Sequence, residues 1–425
     1  MKSLVRSLVI GSASLAVLLV TPSAAAQTRL VLDGTGAMVF ETDGPPTSCG
    51  YPTGPVTGSF SYVAPFTCPT AGRVGGSSPF VGDVGSDRFK DTIWVTDGFT
   101  FTEYAGSGAA YGTPLSSFDL PVGFVLPGPV TGMDFVGTYG PPGFLVITDG
   151  RWCAGITPPA APGCALPTVA VAPFPLPWPG FATDLAWQSG TGGVWVCDDL
   201  GFVSEVYLDG TPGQWGSFSV APGACGLVPP LTGIAADGAP GGFANDSLDA
   251  TDGVTVARFV VDQTPPFPQM HAPFPCFPLP APSCNGLGST LHPIGYGVGT
   301  DTGGLVPPVM TSTGQTTINS SAPITLTLSG ADTAPGTLCV LIYSPFSPPC
   351  PPKTILGGNS LYVTPWASPV GPLAVFGGTV SVSFTTLDAS SALFLGFPVH
   401  LQWLVAKGSG GYQVSNAMAF LLGWP

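Results

Sequence analysis

The sequence predicts an all-β fold, a five- or six-bladed β-propeller followed by a small antiparallel β-sandwich. Three observations carry this: a phrase that returns about every 50 residues, a composition of turn formers mixed with apolar residues, and a change of texture after residue 310.

Composition narrows the class first. Sixty glycines and 50 prolines in 425 residues would suit a disordered chain, yet 44% of the residues are hydrophobic, with 26 Phe and 9 Trp. A chain with that much apolar surface to bury folds, so its Gly and Pro are read as turns between many short strands. Only Glu41, Glu103 and Glu205 among the 24 acidic residues are Glu; Asp favours turns over helix interiors, which again points to strands and loops. The net charge of -14, with only 10 Lys and Arg, repels phosphate backbones and excludes nucleic acid and anionic membrane as expected partners.

At the N-terminus, Lys2 and Arg6 precede an apolar run over residues 8–20, and Ala24, Ala25 and Ala26 follow before Gln27. This is the pattern of a cleaved secretory signal peptide over residues 1–26. Pro and Gly interrupt every later apolar run, so no transmembrane segment is expected in the mature chain. Secretion or cell-surface display is the expected destination.

The repeat comes next. A short β-rich run ends in Asp, usually followed by Gly, and a second run begins: FETDG, IWVTDG, FLVITDG, VWVCDD and DATDG. The aspartates are Asp43, Asp97, Asp149, Asp198 and Asp252, at intervals of 54, 52, 49 and 54, with a weaker echo at Asp301. Such intervals suit a four-stranded blade. Small-residue runs before these aspartates, FVGDV, TGMDFV, ATDLAW and LTGIAAD, are expected as inner strands lining an axis, where Gly and Ala let blades approach. Runs such as FTFTEY and GFVSEVYLDG form a third strand, and SSFDL or GSFSV a fourth. The units fill residues 27–310.

IWVTDG, VWVCDDLGFVSEVYLDG and LTGIAAD resemble the strand phrases of NHL-type and YWTD-type β-propellers. The resemblance implies a propeller fold, and because those propellers host both enzymes and binding modules, it implies no single activity.

Proline-rich apolar loops separate the units: GFVLPGPV, APFPLPWPGF and PPFPQMHAPFPCFPLPAPSC. Prolines stiffen them, and in a propeller they gather on the face that carries the Asp-Gly turns. Beyond residue 310 the alternation of ITLTLSGA and TVSVSF, then VHLQWLVAKG and SNAMAFLLGW, predicts an antiparallel sandwich over residues 311–425. This segment resembles the C-terminal β modules that end many exported bacterial proteins.

Ten cysteines in an exported chain are expected as disulfides. They fall into neighbour pairs, Cys49 with Cys68, Cys153 with Cys164, Cys197 with Cys225, Cys276 with Cys284, and Cys339 with Cys350, although other connectivities are open. No CxxC spacing supports zinc or thioredoxin-like chemistry.

Catalytic groups are scarce. The only histidines are His271 and His292, in or beside proline-rich loops, and His400, expected on a strand surface; no nucleophile motif accompanies them. No catalytic residue is assigned. Asp97, Asp149, Asp198 and Asp252 are weighed as calcium ligands against turn formers, and recurrence in every unit favours the turn role. The clustered acids Asp246, Asp249 and Asp252 lack the calcium-loop spacing. The loop aromatics Phe174, Trp178, Phe181, Phe274 and Phe277 are the candidate binding residues, as a rigid apolar platform for an extracellular protein or glycan. Asn245 and Asn319 each begin an N-x-S sequence, whose glycosylation depends on the host.

The leading expectation is a secreted or cell-surface non-enzymatic binding or scaffold propeller without a cofactor. The alternatives are a calcium-dependent, lactonase-like hydrolase and a purely structural surface protein. Carboxylates clustered on the axis would favour the hydrolase, and an apolar plug the other two.

Overall fold

In the computed structural model the described residues run from 28 to 421 and leave out 34–37, 44–55, 63–81, 89, 138–142, 161–164, 189–191, 221–226, 237–245, 263–268, 272–276, 280–282, 291–293, 297–298, 302, 304–305, 315–323, 345–352, 356–357, 364, 366 and 385–397. The signal-peptide expectation, His292, Asn245 and Asn319 therefore lie outside the described residues.

Short strands joined by glycine turns account for the regular structure; the one helical element described is a 3-10 turn at Gly108–Ala110. The chain begins with β1 (Thr28–Leu32), β2 (Met38–Asp43) and β3 (Val56–Ser61). Then come β4 (Asp83–Asp87), β5 (Thr92–Thr96), β6 (Thr100–Ala105) and β7 (Pro114–Asp119), which form one antiparallel sheet in sequence order. The next sheet holds β8 (Gly132–Val136), β9 (Phe144–Thr148), β10 (Trp152–Thr157) and β11 (Thr168–Pro175). It is followed by β12 (Ala182–Gln188), β13 (Gly193–Asp198), β14 (Phe202–Tyr207) and β15 (Pro212–Ser219). In the sheet of β16 (Gly233–Ala236), β17 (Asp246–Thr251) and β18 (Thr255–Asp262), the outer place is shared by β19 (Gln269–His271) and β20 (Phe277–Pro278), which both pair with β18.

The remaining sheet of this set joins distant parts of the chain. β21 (Asn285–Thr290) pairs antiparallel with β1, Thr28 opposite Thr290 and Leu30 opposite Gly288, to give the order β21-β1-β2-β3. The first strand of each sheet packs against that of the next, β4 on β8, β8 on β12, β12 on β16, β16 on β21 and β21 on β4. Small residues permit this: a Cβ on Gly132 would lie 2.6 Å from the Asp184 Cα, and one on Gly288 2.7 Å from the Val84 carbonyl oxygen.

Apolar clusters fill the gaps between consecutive sheets. Trp94, Phe101 and Phe118 meet Met133, Leu145 and Ile147 in one gap, and Trp195 and Val203 meet Ile234, Leu248 and Phe259 in another. Leu30 and Val39 pack with Val84, Ile93 and Tyr104, and Val31 with Ala235, Val256 and Leu287. Faces of each sheet are thus covered on both sides, and the burial is the main stabilising term.

The C-terminal part begins with β22 (Ile294–Tyr296), β23 (Thr300–Asp301), β24 (Val309–Thr313) and β25 (Ile324–Ser329). It continues with β26 (Leu338–Ser344), β27 (Lys353–Ile355), β28 (Asn359–Leu361), β29 (Ala367–Ala374), β30 (Val380–Phe384), β31 (Pro398–Ala406) and β32 (Tyr412–Leu421). The larger sheet has the order β22-β32-β31-β26-β29, and β24-β25-β30 form a second sheet. Met310, Ile324, Leu326 and Leu328 of the second share one cluster with Cys339, Leu341, Trp403 and Val405 of the first. β22 and β23 already pair with β32, so this part draws in chain from before residue 311. The echo at Asp301 belongs here as well; its carboxylate receives the Lys407 ammonium at 2.7 Å.

His400 differs from the expectation of a strand surface. Alternation in β31 does aim Leu401, Trp403 and Val405 into the shared cluster, but the opposite face of the sheet is covered too, by Leu361 and Val363 over Ile342 and Ala417. His400 is buried, and desolvation pushes its pKa down to about 4.

Candidate binding face

Four turns between second and third strands share one construction. Oδ1 of Asp97 accepts the Phe99 and Thr100 backbone N–H groups at 3.0 and 2.8 Å. Asp149 does the same with Arg151 and Trp152 at 3.0 and 2.9 Å, and Asp252 with Val254 and Thr255 at 3.0 and 2.9 Å. Asp198 reaches one residue further, to Leu200 at 3.0 Å and Phe202 at 2.8 Å, because Asp199 is inserted and Gly201 takes the left-handed position. In the other three turns Gly98, Gly150 and Gly253 have φ of 91°, 92° and 87°, a region that L-residues avoid. Partial burial raises the Asp198 carboxyl above its ordinary range.

The proline-rich loops are fastened onto these turns. Asp149 Oδ2 accepts the Gly128 N–H at 3.0 Å, Asp252 Oδ2 accepts Val228 N–H at 3.1 Å, and Asp199 Oδ1 accepts Phe181 N–H at 2.8 Å. Arg151 Nη1 donates to the Pro179 carbonyl at 2.7 Å and its guanidinium stands 5.8 Å from the Phe181 ring centroid. Strands alternate in direction, so these turns and the connections between sheets share one face.

That face exposes apolar side chains at corresponding places. Leu200 and Val254 follow their turn glycine or aspartate directly and are exposed; Trp152 and Phe202 open the third strands at 37% and 39% exposure. Val122 and Phe124, in the loop after β7, and Val228, before β16, are also exposed. Isolated exposed apolar residues are ordinary, while a group on one face of a rigid frame is a candidate interaction surface.

The expected platform is placed differently in part. Phe174 lies in β11 opposite Cys153 and is buried with Leu185 and Val194, so it is a core residue. The reason is that the APFPLPWPGF run continues the outer strand before it becomes a loop. Trp178 packs half-buried on the same cluster, and Phe181 is half-buried under Arg151. Phe277 pairs with Val256 in β20, and Phe274 lies outside the described residues. Trp152 and Phe202 were missed by sequence reasoning; their place three or four residues after the turn aspartate was the available signal.

Where the first strands of the sheets come together, Asp83 (β4) and Asp184 (β12) are buried carboxyl groups and Asp134 (β8) is half-buried, the feature expected of a metal hydrolase. Their oxygens are taken up by backbone N–H groups, and Glu41, Glu103 and Glu205 lie on second or third strands of separate sheets rather than on these first strands. The four turn aspartates sit in four different sheets, each already engaged. Among the described residues no three His, Cys, Asp or Glu gather as cation ligands. These residues do not fit a calcium shell, which needs several convergent oxygens.

Cys153, Cys197, Cys284 and Cys339 are buried and not joined to one another; Cys49, Cys68, Cys164, Cys225, Cys276 and Cys350, and with them the neighbour pairs, lie outside the described residues. Among the described residues no helix is long and apolar enough to cross a membrane.

No family model matches the chain, and no curated protein does. Among solved structures it is similar to the Cps50 (Swd1) β-propeller domain of Myceliophteria thermophila, at 11% identity and a TM-score of 0.31 over 59% of this chain and 72% of that one. It is also similar to Hsv2p of Kluyveromyces lactis, at 9% identity and a TM-score of 0.26 over 47% and 73%. Likeness at this level carries no argument about function. The class defined by the strands themselves is an all-β protein of repeated four-stranded antiparallel sheets.

Proposed function

We propose that the chain is a secreted or cell-surface, non-enzymatic binding propeller. In this reading five blades close into a ring through the pairing of β21 with β1, neighbour disulfides staple the blades, and the C-terminal sheets form a sandwich that serves as a packing or attachment module. The ligand is an extracellular protein or glycan received on the face of the Asp-anchored turns. The supporting observation is the exposure of Phe124, Trp152, Leu200, Phe202, Val228 and Val254 on that one face, over turns that backbone hydrogen bonds hold rigid.

The test is a glycan array, followed by affinity measurements with any glycan retained, on the mature protein and on a Trp152→Ser/Phe202→Ser variant. Saturable binding that falls tenfold or more in the variant, with an unchanged melting temperature, supports the reading. Binding that survives the double substitution moves the site off this face. An absence of binders across glycans and candidate surface proteins leaves the purely structural role. Calcium calorimetry of the same sample addresses the hydrolase alternative, which requires saturable binding.

A further inference from the structure

Two carboxyl groups meet where the inner strands converge. Asp83 in β4 and Asp184 in β12 belong to sheets that are not neighbours in the cycle, yet both residues border the same two backbone segments: Asp83 lies against Met133 and Gly286, and Asp184 against Gly132 and Leu287. Asp83 Oδ1 accepts the Val84 N–H at 2.7 Å and Oδ2 the Met133 N–H of β8 at 2.5 Å. Asp184 Oδ1 accepts the Leu185 N–H at 2.6 Å, while Oδ2 takes Ile234 N–H of β16 at 2.8 Å and Leu287 N–H of β21 at 3.2 Å. Through these bonds the pair touches every inner strand, and a Cβ on Gly286 would strike Asp83.

An ionised carboxylate only accepts hydrogen bonds, so two carboxyl groups brought together can bond to each other only when one of them carries a proton. Two buried negative charges side by side would repel strongly.

We propose that Asp83 and Asp184 hold one proton between them on the axis and that this proton locks the ring: its loss sets two buried like charges together and loosens the contacts of the inner strands.

The surroundings agree. On β8, Asp134 acts on Asp83 by its charge, and Arg88 beside it, which donates to the Ala236 carbonyl at 2.9 Å, offsets that charge. On β13, the Cys197 thiol adjoins Asp184 and is held neutral by burial and by the neighbouring carboxyls. β16 and β21 contribute no titratable side chain, and Asp249 on β17 is buried behind β16. Desolvation raises Asp83 to about 7 and raises Asp184 well above the carboxylate range.

A folded-state value above the unfolded one means that the folded chain holds the proton more tightly. Stability is therefore full below the unfolded value of 3.8 and falls as pH rises towards about 7, by up to about tenfold in the folding equilibrium constant per pH unit for each proton.

The experiment is urea unfolding of the full mature chain across this window, comparing wild type with Asp184→Asn at each pH so that other titrating groups cancel. In the variant an amide can donate to Asp83 without a proton. The expected result is a ratio of variant to wild-type equilibrium constants that grows with pH, up to about tenfold per unit. A ratio independent of pH overturns the proposal. Should the variant fail to fold, infrared spectra of the wild type decide: a protonated-carboxyl band that persists in the folded protein near neutral pH and vanishes on alkalinisation is expected, and its absence near neutral pH overturns the proposal.

Discussion

Asp149 Oδ2 receives the backbone N–H of Gly128 at 3.0 Å, across 21 residues of chain. One carboxylate thereby closes its own turn and anchors the loop that arrives from the preceding sheet, and Asp252 repeats the arrangement with Val228.

Removing such an anchor leaves three N–H groups without an acceptor. Asp149→Ala is expected to cost about 2–3 kcal/mol, whereas Asp149→Asn, whose amide oxygen still accepts, loses about 1 kcal/mol. Thermal melting orders the three proteins; equal losses in both variants would remove the hydrogen-bonding account.

Gly132→Ala puts a methyl group 2.6 Å from the Asp184 Cα and 2.9 Å from its carbonyl carbon. Backbone cannot move aside as a side chain can, so about 2 kcal/mol or more is expected to be lost. Gly371→Ala is the control, since nothing lies within 4 Å there. Urea unfolding separates the two.

Lys407 and Asp301 are a buried pair at 2.7 Å with side-chain exposures of 4% and 0%. Lys407→Met alone strands a buried carboxylate and is expected to cost about 3–5 kcal/mol. Lys407→Met with Asp301→Leu recovers much of that loss. A double variant as unstable as the single one would show that packing, not charge, is what Lys407 contributes.

Burial lowers His400 from 6.5 to about 4, so the folded chain binds its proton less well than the unfolded one. Its contribution is full above pH 6.5 and is lost as pH falls towards 4, at up to about 1.4 kcal/mol per pH unit. His400→Gln removes this slope. Denaturation profiles of wild type and variant should converge in acid, and parallel profiles would contradict the burial.

Local pattern made much of the strand layout readable. The second strands VTDG, VITDG and VCDD and the inner strands TGMDFV and ATDLAW fall where the repeat puts them, because period-2 alternation and Asp-Gly chemistry act within a few residues, while the strand expected at FVGDV starts only at Asp83 and runs on to Asp87. The turn role of the aspartates was legible for the same reason. Platform residues were harder to place: Phe174 and Phe181 sit in one apolar run, and whether each is core or rim depends on where β11 stops.

By itself, the sequence determined that the chain is all-β, that its turns recur about every 50 residues on aspartate and glycine, and that a different alternating texture follows them. Tertiary structure alone decided that β1 pairs with β21 more than 250 residues away, that His400 is covered on a face its alternation left open, and that Asp83 meets Asp184. Each of these depends on contacts between segments far apart in the chain, whose loop-closure cost is met only when the whole set of sheets packs together, and no local pattern encodes that.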